Sequence, residues 1–377
     1  MRSLLTLAGW ILITSAYSQA TANPDHFANG LKAIEAKNYT QAAEHFKKAA
    51  ELKPQHGEAW YELGWCYNEL ARYEDAIKAL KNAKIWWKDQ AKVYYESGYA
   101  NDYGGKTDDA IKDYNRCIEL SKNYSGAYRQ LGNIYFDIDK NYKKALEYYN
   151  QYINYSLEKD VTAKTWYKKG YSEIEGNQFE DALTSLKKAV VADDKYAAAY
   201  DEMGYAYYKL GKAEDAIVAY TASHQLNPKS SAACNGLGDI YRYLKKNTDE
   251  ALIWYKKGVE VNPKSQNCQY GAGWCHNEKG RYAEAIPYLK KAIELNDKYT
   301  VAYTELGYAY YALKRYDEAL AELDKSVRSA ETAVAHYYKG LCYIGKKQKE
   351  EAQKMYQRLV ELKSPDAANL LNKINAM

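Results

Sequence analysis

Proline is scarce, at 6 in 377 residues, and no long stretch is rich in Gly, Ser and Pro together. That argues against globular domains strung on flexible linkers, and with abundant Ala, Lys, Glu and Leu it points to continuous helix. Phe is scarcer still, at 4, although Tyr occurs 42 times. A strong charge of either sign is also missing: 53 Lys and Arg against 49 Asp and Glu leave +4. Basic and acidic side chains alternate at i,i+3 and i,i+4 spacing, as in Asp75 and Lys78 or Glu350 and Lys354. Such pairs mark solvated helix faces, not the one-sided basic surface that gathers a polyanion, so no nucleic-acid partner is expected. G-x-S-x-G, H-E-x-x-H, a Walker loop and a G-x-G-x-x-G after a strand are all lacking. No catalytic constellation and no cofactor follow from the residues, and the chain is not expected to be an enzyme.

What is present begins with an unusual first segment. Arg2 supplies a positive charge, residues 4–17 are mostly apolar, and two small-x-small sites follow at Ala16, Tyr17, Ser18 and at Ala20, Thr21, Ala22. These are the three parts of a secretory signal peptide over residues 1–22. The apolar run is broken by Thr6, Thr14 and Ser15 and falls short of the ~20 residues that span a bilayer. No Cys lies near either cleavage site, which leaves no lipoprotein anchor, and no later segment is apolar enough to span. The expectation is an exported chain that does not cross the membrane, periplasmic or else secreted.

A repeat governs the remainder. Trp60, Leu63, Gly64 and Tyr67 read W-x2-L-G-x2-Y, with Ala76 twelve residues after the glycine and Leu80 four residues later. Glycines recur in the same register at 30, 64, 98, 132, 170, 204, 238, 273, 307 and 340, and matching alanines at 42, 76, 110, 145, 182, 216, 251, 285, 319 and 352. This resembles the tetratricopeptide repeat (TPR), and the resemblance covers residues 23–365 in ten repeats. It implies an all-α, right-handed α-solenoid in which each repeat is a pair of antiparallel helices, A and B. The glycine (position 8) lets the helices approach, the alanine (position 20) sits where they cross, and a bulkier residue at position 24 fills the groove: Phe46, Leu80, Tyr114, Tyr149, Leu186, Tyr220, Tyr255, Leu289, Leu323 and Tyr356. Pro54, Pro228, Pro263 and Pro365 fit the ends of B helices, while Pro287 falls early in one and is expected to kink it or delay its start. The spacing of 38 after Gly132 places one extra residue near Asp139–Asn141 and three near Tyr155–Val161. Residues 155–162 then form either a joint between blocks of four and six repeats or a longer surface loop. Residues 366–377 read as a capping helix with Ala368, Leu370, Leu371 and Ile374 on its apolar side.

The resemblance also implies that positions 2, 5, 9, 12 and 13 of the A helices line a concave groove. Tyr61, Tyr95, Tyr167, Tyr270 and Tyr337 stand at position 5, and Tyr208 and Tyr311 at position 12. At position 9, often Asn in the family, this chain has Trp65, Tyr99, Tyr171, Tyr205, Trp274 and Tyr308. Large rigid rings of this kind dominate interface energetics. Two readings are open: an aromatic track that holds an extended polypeptide or a partner helix, and rings that pack between neighbouring helices. A second candidate is basic. Some TPR domains hold a C-terminal carboxylate with a cation at position 5, Asn at position 9 and cations on following A helices; Arg129 and Asn133 match the first pair, and Lys164 and Lys168 follow. The next repeat departs from that pattern with Ala198 and Glu202.

Of the six cysteines, Cys66, Cys275 and Cys342 share position 10, a small buried slot, and Cys117 takes the small residue's place at position 27. Cys234 and Cys268 lie near matching ends of neighbouring A helices, where a disulfide is at the limit of reach. His276, beside Cys275, is expected to pack in place of a tyrosine rather than to bind metal. The function that follows is a scaffold of the cell envelope that binds a protein or peptide in its groove; the second reading is a surface that stacks on sugars of the cell wall. The oligomeric state is not legible.

Overall fold

The computed structural model describes residues 25–377, so the expected signal peptide lies outside the described residues. Every regular element among them is helical. The chain divides into two compact units, ending and beginning at Val161 and Thr162. The first holds α1 (His26–Glu35), α2 (Tyr39–Leu52), α3 (Gly57–Glu69), α4 (Tyr73–Trp86), α5 (Ala91–Tyr103), α6 (Thr107–Leu120), α7 (Ser125–Asp137) and α8 (Tyr142–Asn154), then a short 3-10 turn at Glu158–Asp160. The second holds α9 (Ala163–Glu175), α10 (Phe179–Ala192), α11 (Ala197–Lys209), α12 (Ala213–Leu226), α13 (Ser231–Asp239, continued as a π-helical turn Ile240–Leu244), α14 (Thr248–Val261), α15 (Gln266–Glu278), α16 (Tyr282–Leu295), α17 (Thr300–Ala312), α18 (Tyr316–Ser329), α19 (Ala333–Gly345), α20 (Lys349–Glu361) and α21 (Asp366–Asn375). Odd-numbered helices up to α19 are the A helices, even-numbered ones the B helices, and α21 is the cap.

Within each unit an A helix packs on its own B helix, that B helix packs on the next A helix, and A helices also touch each other, α3 with α5 and α13 with α15 among them. The A helices therefore share one wall of each unit and the B helices back it. All ten repeat alanines are 0% exposed. Opposite them the glycines leave no room for a methyl: a Cβ on Gly132 would stand 2.7 Å from the Tyr149 ring, and one on Gly204 2.7 Å from Tyr220. Nine position-24 side chains fill these slots as the spacing predicts. The tenth does not. Against Gly340 stands Leu370 of the cap, because α21 folds onto both α19 and α20, and Tyr356 is left half-buried at the edge of that cluster. The cap buries Leu370 and Ile374 as expected, and Ala367 takes the place expected of Ala368. Ala367, Leu370 and Ile374, at i, i+3 and i+7, face the core, and Ala368 is exposed.

Every A–B turn holds one residue in the left-handed region. Lys37, Ala71, Lys140, Asn177, Lys246, Lys314 and Lys347 do so at φ between 53° and 60°, and Gly105, Gly211 and Gly280 at 69° to 77°. The turn closes with paired bonds such as Ala71 N–H to Asn68 O (2.9 Å) and Arg72 N–H to Tyr67 O (2.8 Å), the Schellman arrangement that satisfies the last carbonyls of a helix. Repeats four and seven have thirteen residues from glycine to alanine instead of twelve. Both absorb the extra residue by widening the end of the A helix, with i→i−5 bonds from Asp139 N–H to Ile134 O (3.3 Å) and from Lys245 N–H to Ile240 O (3.0 Å). In repeat four this lies a little ahead of the turn where the sequence placed it. Pro287 is the sixth residue of α16, which starts at Tyr282 in the same register as α18 at Tyr316, so the proline does not delay the helix.

Candidate functional site

Four of the six position-9 rings, Trp65, Tyr99, Trp274 and Tyr308, are built into the joints between repeats. Trp65 meets Tyr39, the first residue of the preceding B helix, edge-on at 5.5 Å. The same pairing recurs between Tyr73 and Tyr99 (6.4 Å) and between Tyr282 and Tyr308 (5.6 Å). Tyr99 also lies 4.4 Å from Tyr103, Tyr308 lies 4.8 Å from Tyr338, and Tyr171 lies 6.3 Å from Tyr167. Trp274 is covered by the Arg242 guanidinium at 3.7 Å. Five of the six position-9 rings are half-buried; Tyr205 is exposed, at 36%, with the Lys209 ammonium 5.4 Å from its ring. At position 5, Tyr61 packs edge-on against Trp87 (5.6 Å), and Tyr95 lies tilted against Tyr124 (5.0 Å). The aromatic positions thus serve inter-repeat packing first and present ring edges along the A wall second.

The basic candidate is divided between the two units. Arg129 and Asn133 belong to the first unit and Lys164 and Lys168 to the second. Arg129 leans toward the Tyr152 ring (5.9 Å), and Asn133 accepts a hydrogen bond from the Tyr149 hydroxyl at 3.1 Å and donates one to Gln130 at 3.1 Å. Lys164 is exposed, whereas Lys168 is 4% exposed and so does not present its ammonium to a ligand. The six cysteines are all buried free thiols, Cys234 and Cys268 included. His276 is buried, stacks on Tyr288 at 5.4 Å and faces Glu284 at 3.3 Å. Among the described residues no group of three His, Cys, Asp or Glu is placed to hold a metal. No described helix is long and apolar enough to cross a membrane.

A concave feature of the A wall lies in the second unit, and its acidic character was missed in the sequence. A cleft of about 480 Å³ opens between α11, α13 and the start of α15, lined by Asp201, Glu202, Tyr205, Tyr208, Asn235 and Asp239 among others. Asp201, Tyr205 and Tyr208 stand at positions 5, 9 and 12 of repeat six, and Asp239 at position 9 of repeat seven. Asp239 is fixed in place: its Oδ1 accepts from the Tyr255 hydroxyl (2.6 Å) and its Oδ2 from Asn235 (3.0 Å). Burial pushes the Asp201 and Asp239 carboxyls above the usual range, and pushes Glu202 up to about 7, with Asp201 and Glu175 adding to the effect. The signal that would have found this site is the lone Asp at position 9 in an array otherwise dominated there by rings.

A related device ties repeats together elsewhere. Asn68 at position 12 donates to Glu96 Oε2 (2.8 Å) and to the Glu96 carbonyl (3.0 Å) on the next A helix, and Asn277 treats Glu305 in the same way at 2.9 and 3.0 Å. These carboxylates are used for assembly, which sets Glu202 apart.

Comparison with known proteins agrees with the geometry of the repeats. Tetratricopeptide-repeat profiles match residues 33–94, 91–124, 197–230, 231–265, 276–341 and 334–366, and a TPR-repeat profile matches 170–211. A TPR repeat-containing protein of Methanocaldococcus jannaschii is 24% identical over 62% of this chain and 42% of its own length. Superkiller complex protein 3 of Mus musculus is 25% identical over 72% of this chain and 17% of its own. The chain therefore spans less than half the length of these relatives. Among solved structures, YrrB, a TPR protein with an unusual peptide-binding site, is similar over 54% of this chain and 99% of that one, at 22% identity and a TM-score of 0.48. The chain belongs to the tetratricopeptide-repeat family.

Proposed function

We propose that this chain is a non-enzymatic scaffold that holds a polypeptide partner against the A-helix wall of its repeats. The observation that carries the reading is the cleft of the second unit, where the wall is open, aromatic and polar at once and where Tyr205 projects without a packing duty comparable to that of Trp65 or Tyr308. Binding energy would come from ring edges and orientation from the carboxyl and amide groups beside them. The same proposal includes export: the composition of residues 1–22 supports a cleaved signal, and a periplasmic or secreted scaffold would organise an assembly of the cell envelope.

The test places a photo-crosslinking amino acid at position 205 of the full chain, expressed in its own cell. The expected result is one or a few proteins joined at that position, and their loss from affinity capture when Tyr205 and Tyr208 are both replaced by Ala. These two rings are the ones to vary, because replacing Trp65, Tyr99 and Trp274 would also remove contacts between repeats. Capture of no protein by a folded sample would sink the scaffold reading. Retention on cell-wall material, lost with the same two rings, would turn it toward sugar binding. Mass measurement of the chain in the envelope fraction checks the export: cleavage near residue 22 is expected, and an uncleaved chain confined to the cytoplasm would overturn it.

A further inference from the structure

We infer that Cys234 and Cys268 are a redox pair, which closes into a disulfide between the A helices of repeats seven and eight when the chain meets a disulfide oxidant. The inference goes beyond the scaffold reading and does not depend on which partner the wall holds.

Four departures from the repeat, one on each of the successive helices α12 to α15, meet at one place. Position 4 is Trp or Tyr in six repeats, at Trp60, Tyr94, Tyr128, Trp166, Tyr200 and Tyr303, but Cys234 in repeat seven. Position 3 is mostly Ala, but Cys268 in repeat eight. Position 27 is glycine only at Gly258, and position 28, mostly aliphatic, is histidine only at His224. A Cβ on Gly258 would stand 3.2 Å from Cys234 Cβ and 3.2 Å from Cys268 Cβ, in space that Cys268 Sγ fills. The alanine common at position 27 would thus wedge a methyl between the two cysteines, and the glycine leaves them facing. Cys268 Sγ also lies 3.8 Å from the carbonyl oxygen of Ser231, three residues before Cys234 and so on the same side of α13. His224 Nδ1 stands 3.7 Å from Cys234 Sγ.

Two Cβ atoms that flank one methyl-sized space are close to the ~3.5–4.5 Å separation of a disulfide. The remaining adjustment falls to helix ends: Cys234 is the fourth residue of α13 and Cys268 the third of α15, directly after the loops 227–230 and 262–265. Both thiols are fully buried, and burial raises that of Cys234 and pushes that of Cys268 up to about 11. The pair is therefore inert while these ends are closed, and reacts as their first turns open. Burial and then Lys257 hold the His224 imidazole below its usual range, so that it is neutral and able to take a proton. The oxidant is a small-molecule disulfide. Cys234 passes its proton to His224 and attacks one sulfur of the oxidant, whose S–S bond breaks to release one small thiol. Cys268 then attacks the Cys234 sulfur of the mixed disulfide and releases the second. Two cysteine thiols are oxidised to one disulfide, the small disulfide is reduced to two thiols, and the two cysteine protons end on them.

The experiment incubates the reduced, folded full chain with glutathione disulfide, alkylates the remaining thiols after unfolding, and maps the peptides by mass spectrometry without reduction. Expected are one linked peptide pair carrying Cys234 and Cys268, a chain mass lower by two hydrogens before alkylation, and alkylation at the four other cysteines, Cys66, Cys117, Cys275 and Cys342. In Cys268→Ser the second thiol is missing, so glutathione should stay trapped on Cys234. In His224→Phe the same link should form about tenfold more slowly or worse. A chain oxidised in urea is the control, since six unfolded cysteines scatter over many pairings. No linked pair in the folded wild type, or the scatter that the urea control gives, would overturn the inference. An unchanged rate in His224→Phe would overturn the part given to the histidine. The wild-type map decides the matter even if a variant does not fold, and it leaves the scaffold reading to its own test.

Discussion

A carboxyl group that folding places among other carboxyls, with no cation opposite, makes stability depend on pH in a definite direction. Glu202 is such a group, pushed up to about 7 by burial and then by Asp201 and Glu175. Its folded-state value lies above its unfolded one, so the native state binds the proton more tightly. The stability it contributes is fully present below the ordinary carboxyl range and is lost as pH rises through about 7. Glu202→Gln mimics the protonated form at every pH. The variant should therefore be more stable than wild type at pH 8 by on the order of 2 kcal/mol, and the gain should shrink toward pH 5. Urea unfolding at the two pH values measures it, and an equal gain at both would remove the acidic cleft as the cause. At this scale the sequence was informative where a residue's role is set by its place in the repeat: the ten alanines, and Cys66, Cys275 and Cys342 in their small slots, are all fully buried. It was uninformative where a role depends on what faces a residue from another repeat. Glu96 and Glu202 occupy the same repeat position, yet one is tied down by Asn68 and the other is not.

The helical elements were legible because a 34-residue period with fixed small residues leaves little freedom in how two helices pack. Their turns were not. The left-handed residue that ends each A helix is a glycine in only three of ten repeats, and Lys holds it in five, so the usual glycine marker is mostly absent. Nor does a count of residues say whether an insertion enlarges a loop or widens a helix; repeats four and seven chose the helix because its end could still satisfy its carbonyls through i→i−5 bonds. The turns offer a clean backbone test. A Cβ on Gly211 would meet nothing within 4 Å, so Gly211→Ala changes only the cost of φ at +72°. It should lower stability by about 1 kcal/mol, and Ala71→Gly, at φ 55°, should be neutral or stabilising because relief of that strain offsets the added freedom of the unfolded chain. Thermal melts of the two variants check this, and a harmless Gly211→Ala would show that the turn tolerates a side chain and that the lysines there carry no strain.

At the scale of the molecule a repeat array is held together by neighbours, so its ends need closing. The sequence marked residues 366–377 as a cap from their apolar spacing, but it assigned the slot at Gly340 to Tyr356, because nothing in one repeat's pattern reveals that a helix beyond it will compete for the same place. Leu370 wins the slot: it is fully buried together with Ile374, in one cluster with Leu341, Ala352 and Leu359. Removing the chain after residue 365 would uncover that cluster, and Leu370→Ala would open a cavity over Gly340, for which large-to-small changes in cores cost about 2–5 kcal/mol. Because coupling runs from neighbour to neighbour, the damage should be graded along the second unit. Hydrogen exchange is the measurement: amides of α19 and α20 should lose protection first in both variants, those of α17 and α18 less, and those of α9 and α10 not at all. Full protection of α19 and α20 in the truncated chain would mean that the last repeat closes itself and that α21 merely rests on it. Uniform loss throughout the second unit would mean that its repeats unfold as one body, in which case the cleft between α11 and α13 would share the fate of the cap.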